Sequence, residues 1–119
     1  MLKKPLNPLF LIGYLGFITI FSLGNFGIVK PLGSEYDDKL NHIAAHAILV
    51  SLAYLTLFGR KFKSPLLLSF FFSIGYGIII EVLQLILSSG RTFDFRDIIA
   101  NIIGALLSVL FIKVLFRVR

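Results

Sequence analysis

Four apolar stretches separated by short polar breaks set the pattern of the chain. No charged residue lies between Lys4 and Lys30, and residues 9–28 form the first stretch. Residues 40–58 form the second, uncharged while His42 and His46 are neutral. Residues 65–87 form the third, interrupted by Glu81, and residues 98–116 the fourth, with Lys113 near its end. Each is close to the roughly 20 residues a helix needs to cross a hydrocarbon core about 30 Å thick. The breaks hold helix-ending residues: Pro31, Gly33 and Ser34, then the GRKFKS segment at 59–64, then Ser88, Ser89 and Gly90. Pro65 suits a first helical turn, where its missing N–H is not needed. The pattern predicts an all-α integral membrane four-helix bundle, a single domain over residues 1–119, with connections too short for a second one.

Lys3 and Lys4 ahead of an apolar run also fit a signal peptide, with Ser22 and Gly24 as a weak small-x-small cleavage site. The run exceeds the usual signal-peptide core of about 7–15 residues, so a retained span is the expectation.

Composition narrows the class. Charged residues make up 15% of the 119 and apolar ones 57%, against roughly 25% charged in a soluble domain. A disordered chain and an ordinary soluble enzyme are excluded. The net charge of +6 would suggest nucleic acid, but the charges sit at the edges of the apolar runs, where membrane proteins keep them. The absence of cysteine excludes disulfides, thiolate zinc sites, iron–sulfur clusters and a cysteine nucleophile.

Charge also predicts orientation. Lys3, Lys4, Arg60, Lys61, Lys63, Lys113, Arg117 and Arg119 fall on one side; Lys30, Lys39, Arg91 and Arg96 fall on the other. The positive-inside rule then puts both termini and the middle loop in the cytoplasm, N-in and C-in. Glu35, Asp37, Asp38, Asp94 and Asp97 lie in the outer loops or at their helix ends, and the basic inner loops would touch anionic lipid.

Read at 100° per residue, three spans carry polar stripes. Asp38, His42, Ala45 and His46 share a face of the second; Gly77, Glu81, Gln84 and Ser88 of the third; Asp97, Asn101, Gly104 and Ser108 of the fourth. All three are polar at the outer end. Polar groups facing lipid cost several kcal/mol unless partnered, so the stripes are expected to turn onto one another. Small residues at Ser73/Gly77, Ala100/Gly104 and Gly104/Ser108 would let the backbones approach.

Simpler roles are open for several of these residues. Asp38 and Asp97 fit helix N-caps. Lys39 fits a partner of Asp37 or Asp38, and His46 a hydrogen-bonded core histidine. Gln84 and Asn101 fit interhelical ties, each worth about 0.6 kcal/mol. Glu81 is harder to set aside, since an ionisable residue inside a span costs roughly 2.5–3.5 kcal/mol and is a functional candidate by default. An ion pair with Arg91 or Arg96 that pins the outer loop is its structural alternative.

The segment Asp38-Lys39-Leu40-Asn41-His42 resembles the D-K-x-x-H opening of the VanZ-like family of bacterial membrane proteins. Glu81-Val82-Leu83-Gln84, Arg91-Thr92-Phe93 and Asp97 through Asn101 to Gly104 resemble its E-x-x-Q, R-x-F and D-x-x-x-N-x-x-G pattern, in order and spacing. The likeness covers residues 38 to about 110. His46 stands where the family often carries an aromatic residue. The resemblance implies a small polytopic membrane protein of the cell envelope. The family's founding member is linked to low-level teicoplanin resistance, so an effect on glycopeptide susceptibility is an expectation. It names no reaction.

Three functions compete. The first is an envelope protein that binds or modifies a lipid or lipid-linked precursor in the outer leaflet, with Glu81 and His42 as acid/base pair. Asp38, Lys39, Gln84, Arg91, Asp97 and Asn101 would then bind substrate, the cations meeting phosphate. The second is a non-catalytic binder or scaffold. The third is a small proton-coupled transporter, which the position of Glu81 near one surface disfavours. No cofactor, metal or nucleic acid is expected. His42 and His46 at i, i+4 with Glu81 form a weak metal pattern, without the glutamate between histidines of a zincin.

Overall fold

A computed structural model describes residues 4–23, 35–87 and 95–116, with backbone alone for residues 23, 35–38 and 116. Four helices make up the fold: α1 (Pro8–Leu23), α2 (Glu35–Leu57), α3 (Pro65–Leu87) and α4 (Phe95–Phe116). Local chemistry sets several of their ends. The Asn7 side-chain oxygen accepts the Leu9 N–H at 3.0 Å, with Pro8 in the first position of α1. Gly59, with φ of 77°, takes the left-handed turn that closes α2. Arg60 Nε donates to the Thr56 carbonyl at 2.7 Å, placing a cation at the negative end of that helix. Ser64 then starts α3, its carbonyl accepting the Leu68 N–H at 3.0 Å.

The α3 bounds are those the hydropathy pattern predicts. α2 and α4 begin earlier than expected, at Glu35 and Phe95, because a helix continues through polar residues that a hydrophobic pattern does not register. Asp97 therefore lies inside the first turn of α4, which corrects its reading as an N-cap; the carboxylate still complements the helix dipole there. Residues 24–28, the end of the expected first span, lie outside the described residues.

Lys39–Leu57, Pro65–Leu87 and Phe95–Leu115 are long and apolar enough to cross a membrane. The 23 residues of α3 rise about 34 Å, against a core of about 30 Å. The packing has the polarity of a lipid-facing bundle. On α3 the buried side is Leu66, Ser69, Ser73, Gly77, Ile80, Glu81 and Gln84, while Phe71, Ile79 and Ile86 face outward. Small and polar groups inside with large apolar groups outside is unfavourable in water and favourable in hydrocarbon.

α2 packs most extensively on α4 and then on α3; among the described residues α1 packs on α2 and α3 and makes no comparable contact with α4. The closest approach falls at Gly104, where an added Cβ would stand 2.1 Å from the Ile43 carbonyl oxygen. Glycine is required here because the α2 and α4 backbones touch. The apolar core (Val50, Tyr54, Leu66, Ala105, Ile112) fills the end of the bundle away from Asp97. Ser51 and Ser108 hydrogen-bond at 2.8 Å between the two ends. α1 is tied on by polar groups: Tyr14 Oη donates to the Ala45 carbonyl at 2.7 Å, Tyr76 Oη to the Leu15 carbonyl at 3.2 Å, and Thr19 Oγ1 meets Tyr76 Oη.

Candidate functional site

The end of the bundle opposite the apolar core collects ionisable groups from three helices. Lys39, His42 and His46 follow one another along a face of α2 at intervals of three and four residues. Glu81 faces them from α3, and Asp97 and Asn101 from α4. The Lys39 ammonium donates to Asp97 Oδ1, an ion pair between residues 58 apart in sequence. His42 Nδ1 lies 2.9 Å from Asn101 Oδ1. A carbonyl oxygen can only accept, so Nδ1 carries the hydrogen and the neutral ring keeps its lone pair on Nε2. That Nε2 stands 3.6 Å from Asp97 Oδ1. One ligand-type atom from each of His42, Glu81 and Asp97 lies within 4.8 Å of the others.

Burial grades across the cluster. Glu81 is 1% exposed and Asn101 2%, while the side chains of Asp97, His42 and Lys39 are 10%, 15% and 22% exposed. Glu81 and Asn101 sit deepest, and exposure rises through Asp97 and the imidazole to the ammonium.

A second polar layer lies one turn deeper. His46, 5% exposed, places Nδ1 2.9 Å from Ser73 Oγ, a core histidine bonded across helices. Gly77 makes room for both layers: an added Cβ would stand 2.6 Å from Asn101 Nδ2 and 2.8 Å from His46 Cε1. Gln84 is buried, and its Nε2 donates to the Ser22 carbonyl of α1 at 2.8 Å.

Of the sequence-predicted site residues, the fold therefore brings together Lys39, His42, Glu81, Asp97 and Asn101. Gln84 instead donates to the Ser22 carbonyl of α1. The side chain of Asp38, and all of Arg91 and Ser88, lie outside the described residues. Sequence reasoning missed Ser73 as the partner of His46, and Tyr14, Thr19 and Tyr76 as the ties of α1. Tyrosine and threonine near the middle of apolar spans were the available signal, since a buried hydroxyl needs a partner.

An apolar-skinned helical bundle with an ionisable cluster at one end is a membrane protein with a polar site. A model of the VanZ/LLP1 family matches residues 9–117, nearly the whole chain. The chain belongs to that family and is a VanZ-like membrane protein. No curated protein and no solved structure matches it.

Proposed function

We propose that the protein binds and modifies a phosphate-bearing lipid or lipid-linked envelope precursor in the outer leaflet of a bacterial inner membrane, with both termini in the cytoplasm. The meeting of His42, Glu81, Asp97 and Asn101 with Lys39 at one end of the bundle carries this reading. A headgroup lies at the depth of a helix end, so a substrate confined to the bilayer reaches the cluster without leaving it. Lys39, and Arg91 and Arg96 from the outer end, supply cations for a phosphate.

The chemistry that fits is hydrolysis or transfer at the headgroup. With cysteine absent, water or an incoming hydroxyl is the nucleophile. His42 Nε2 accepts its proton as the oxygen attacks phosphorus, and Asn101 holds the ring in the tautomer that this requires. Glu81, facing His42 and Asp97 across the cluster, is the group placed to give a proton to the leaving oxygen. The link of the family's founding member to low-level teicoplanin resistance agrees with an envelope substrate.

The test is turnover in proteoliposomes. Purified protein is incubated with defined phospholipids and with polyprenyl-linked phosphates, and products are read by mass spectrometry. Glu81→Gln should abolish conversion and leave the helical circular dichroism unchanged. Ligand that copurifies with the wild type but is never converted would favour the binder reading, and full activity in Glu81→Gln would remove the acid role.

A further inference from the structure

We infer that His42, Glu81 and Asp97 form a site for one divalent metal cation of the zinc or manganese class. This metal set differs from the one that the i, i+4 histidine pair suggested, because His46 is engaged with Ser73 a turn deeper and Asp97 takes its place.

Geometry is the first support. Ligand atoms held about 2.0–2.2 Å from one cation stand roughly 3–4 Å from each other. Here all three lie within 4.8 Å of one another, and His42 Nε2 and Asp97 Oδ1 are already 3.6 Å apart. Small side-chain rotations close the set. The ligands come from three helices packed together by the Gly104 and Gly77 approaches, so the frame is rigid.

The second support is the outer hydrogen bond. A histidine that ligates through one nitrogen usually donates from the other to an oxygen, which fixes its tautomer and orientation. His42 Nδ1 and Asn101 Oδ1 stand in that relation at 2.9 Å, leaving Nε2 to bind. Two carboxylates and an imidazole suit zinc or manganese and leave coordination positions for water or a phosphate oxygen.

The third is charge. Asp97 already holds one cation, the Lys39 ammonium. Its stem is long and its side chain 22% exposed, so it can swing toward the surface. A divalent ion in its place neutralises both carboxylates where the dielectric is low. Lys39 is then a competitor of the metal, a relation that purely structural packing would not produce.

Metal binding is measured without any lipid substrate, so it stands or falls apart from the function proposed above. With the cation bound, His42 Nε2 and the Glu81 carboxylate are its ligands and no longer base and acid, and a water activated at the open position attacks the headgroup phosphate in their stead; that use of the site rests on the function proposed above. The experiment is calorimetric titration of tag-free, chelator-stripped protein in detergent with zinc, and separately with manganese. One equivalent per chain should bind. Glu81→Gln and Asp97→Asn should each weaken binding at least about tenfold. Lys39→Met should tighten it severalfold, which also answers the objection that a weakened variant is merely misfolded. Absence of saturable binding by both wild type and Lys39→Met overturns the assignment. So does binding that survives Glu81→Gln and Asp97→Asn together, or binding that Lys39→Met weakens.

Discussion

Replacing Gly104 by alanine adds one methyl group where α2 and α4 touch. The new Cβ would stand 2.1 Å from the Ile43 carbonyl oxygen and 2.9 Å from that residue's Cα and carbonyl carbon. All three are backbone atoms, so no rotamer change relieves the clash. Ordinary contact begins at 3.4 Å, and the helices must separate by about 1.3 Å at this point to restore it. Ile43 adjoins His42, and Gly104 lies one turn from Asn101. A separation of that size takes their 2.9 Å hydrogen bond beyond bonding distance and strains the Ser51–Ser108 bond between the same helices. Overpacking costs about 1–3 kcal/mol and each lost interhelical bond about 0.6 kcal/mol, so a loss of about 2–4 kcal/mol is expected. Reversible unfolding in mixed micelles measures it. Gly75→Ala is the control, because no atom beyond its chain neighbours and the adjoining backbone of α3 lies within 4 Å of its added Cβ. That change should be neutral or slightly stabilising through helix propensity. Equal stability of Gly104→Ala and Gly75→Ala would refute the backbone contact.

Gly77→Ala should destabilise less, by about 1–2 kcal/mol, because the atoms it meets belong to the Asn101 and His46 side chains, which can yield. Unfolding in the same micelles reads the difference between the two glycines. Tyr14→Phe removes the bond to the Ala45 carbonyl, worth about 0.5–1.5 kcal/mol; faster amide exchange in α1 with α2–α4 unchanged is the expected signature. The proposed N-in, C-in orientation predicts that a cysteine at exposed Lys61 reacts with an impermeant maleimide only after the membrane is opened, and the cysteine-free sequence makes that labelling specific.

Hydropathy and period carried far in this chain. The bounds of α3 follow from Pro65 at one end and the Ser-Ser-Gly break at the other, both local signals. The residues of the cluster share stripes at 3.6-residue spacing, and in hydrocarbon a polar stripe has nowhere to go but inward. What spacing does not contain is the rotation and order of the helices. The turn of Gln84 onto α1 and the reach of Lys39 across 58 residues to Asp97 depend on which helix neighbours which. The small-residue spacing around Gly104 announced a close approach but not Ile43 as its partner. His46 shares a face with His42, yet i+4 is also one turn of about 5.4 Å in depth. That depth sends one histidine to Asn101 and the other to Ser73.

Single cysteines at Lys39, His42 and Ile103, placed in the cysteine-free chain and treated from outside with a charged, impermeant thiol reagent, probe where water reaches. Lys39 and His42 carry the more exposed side chains of the cluster, while Ile103 is exposed on the outer face of α4, where acyl chains would cover it. Cysteines at 39 and 42 should react readily and the one at 103 should not. Reaction at 103 with none at 39 and 42 would mean that the polar faces of the three helices do not meet at a water-accessible end of the bundle.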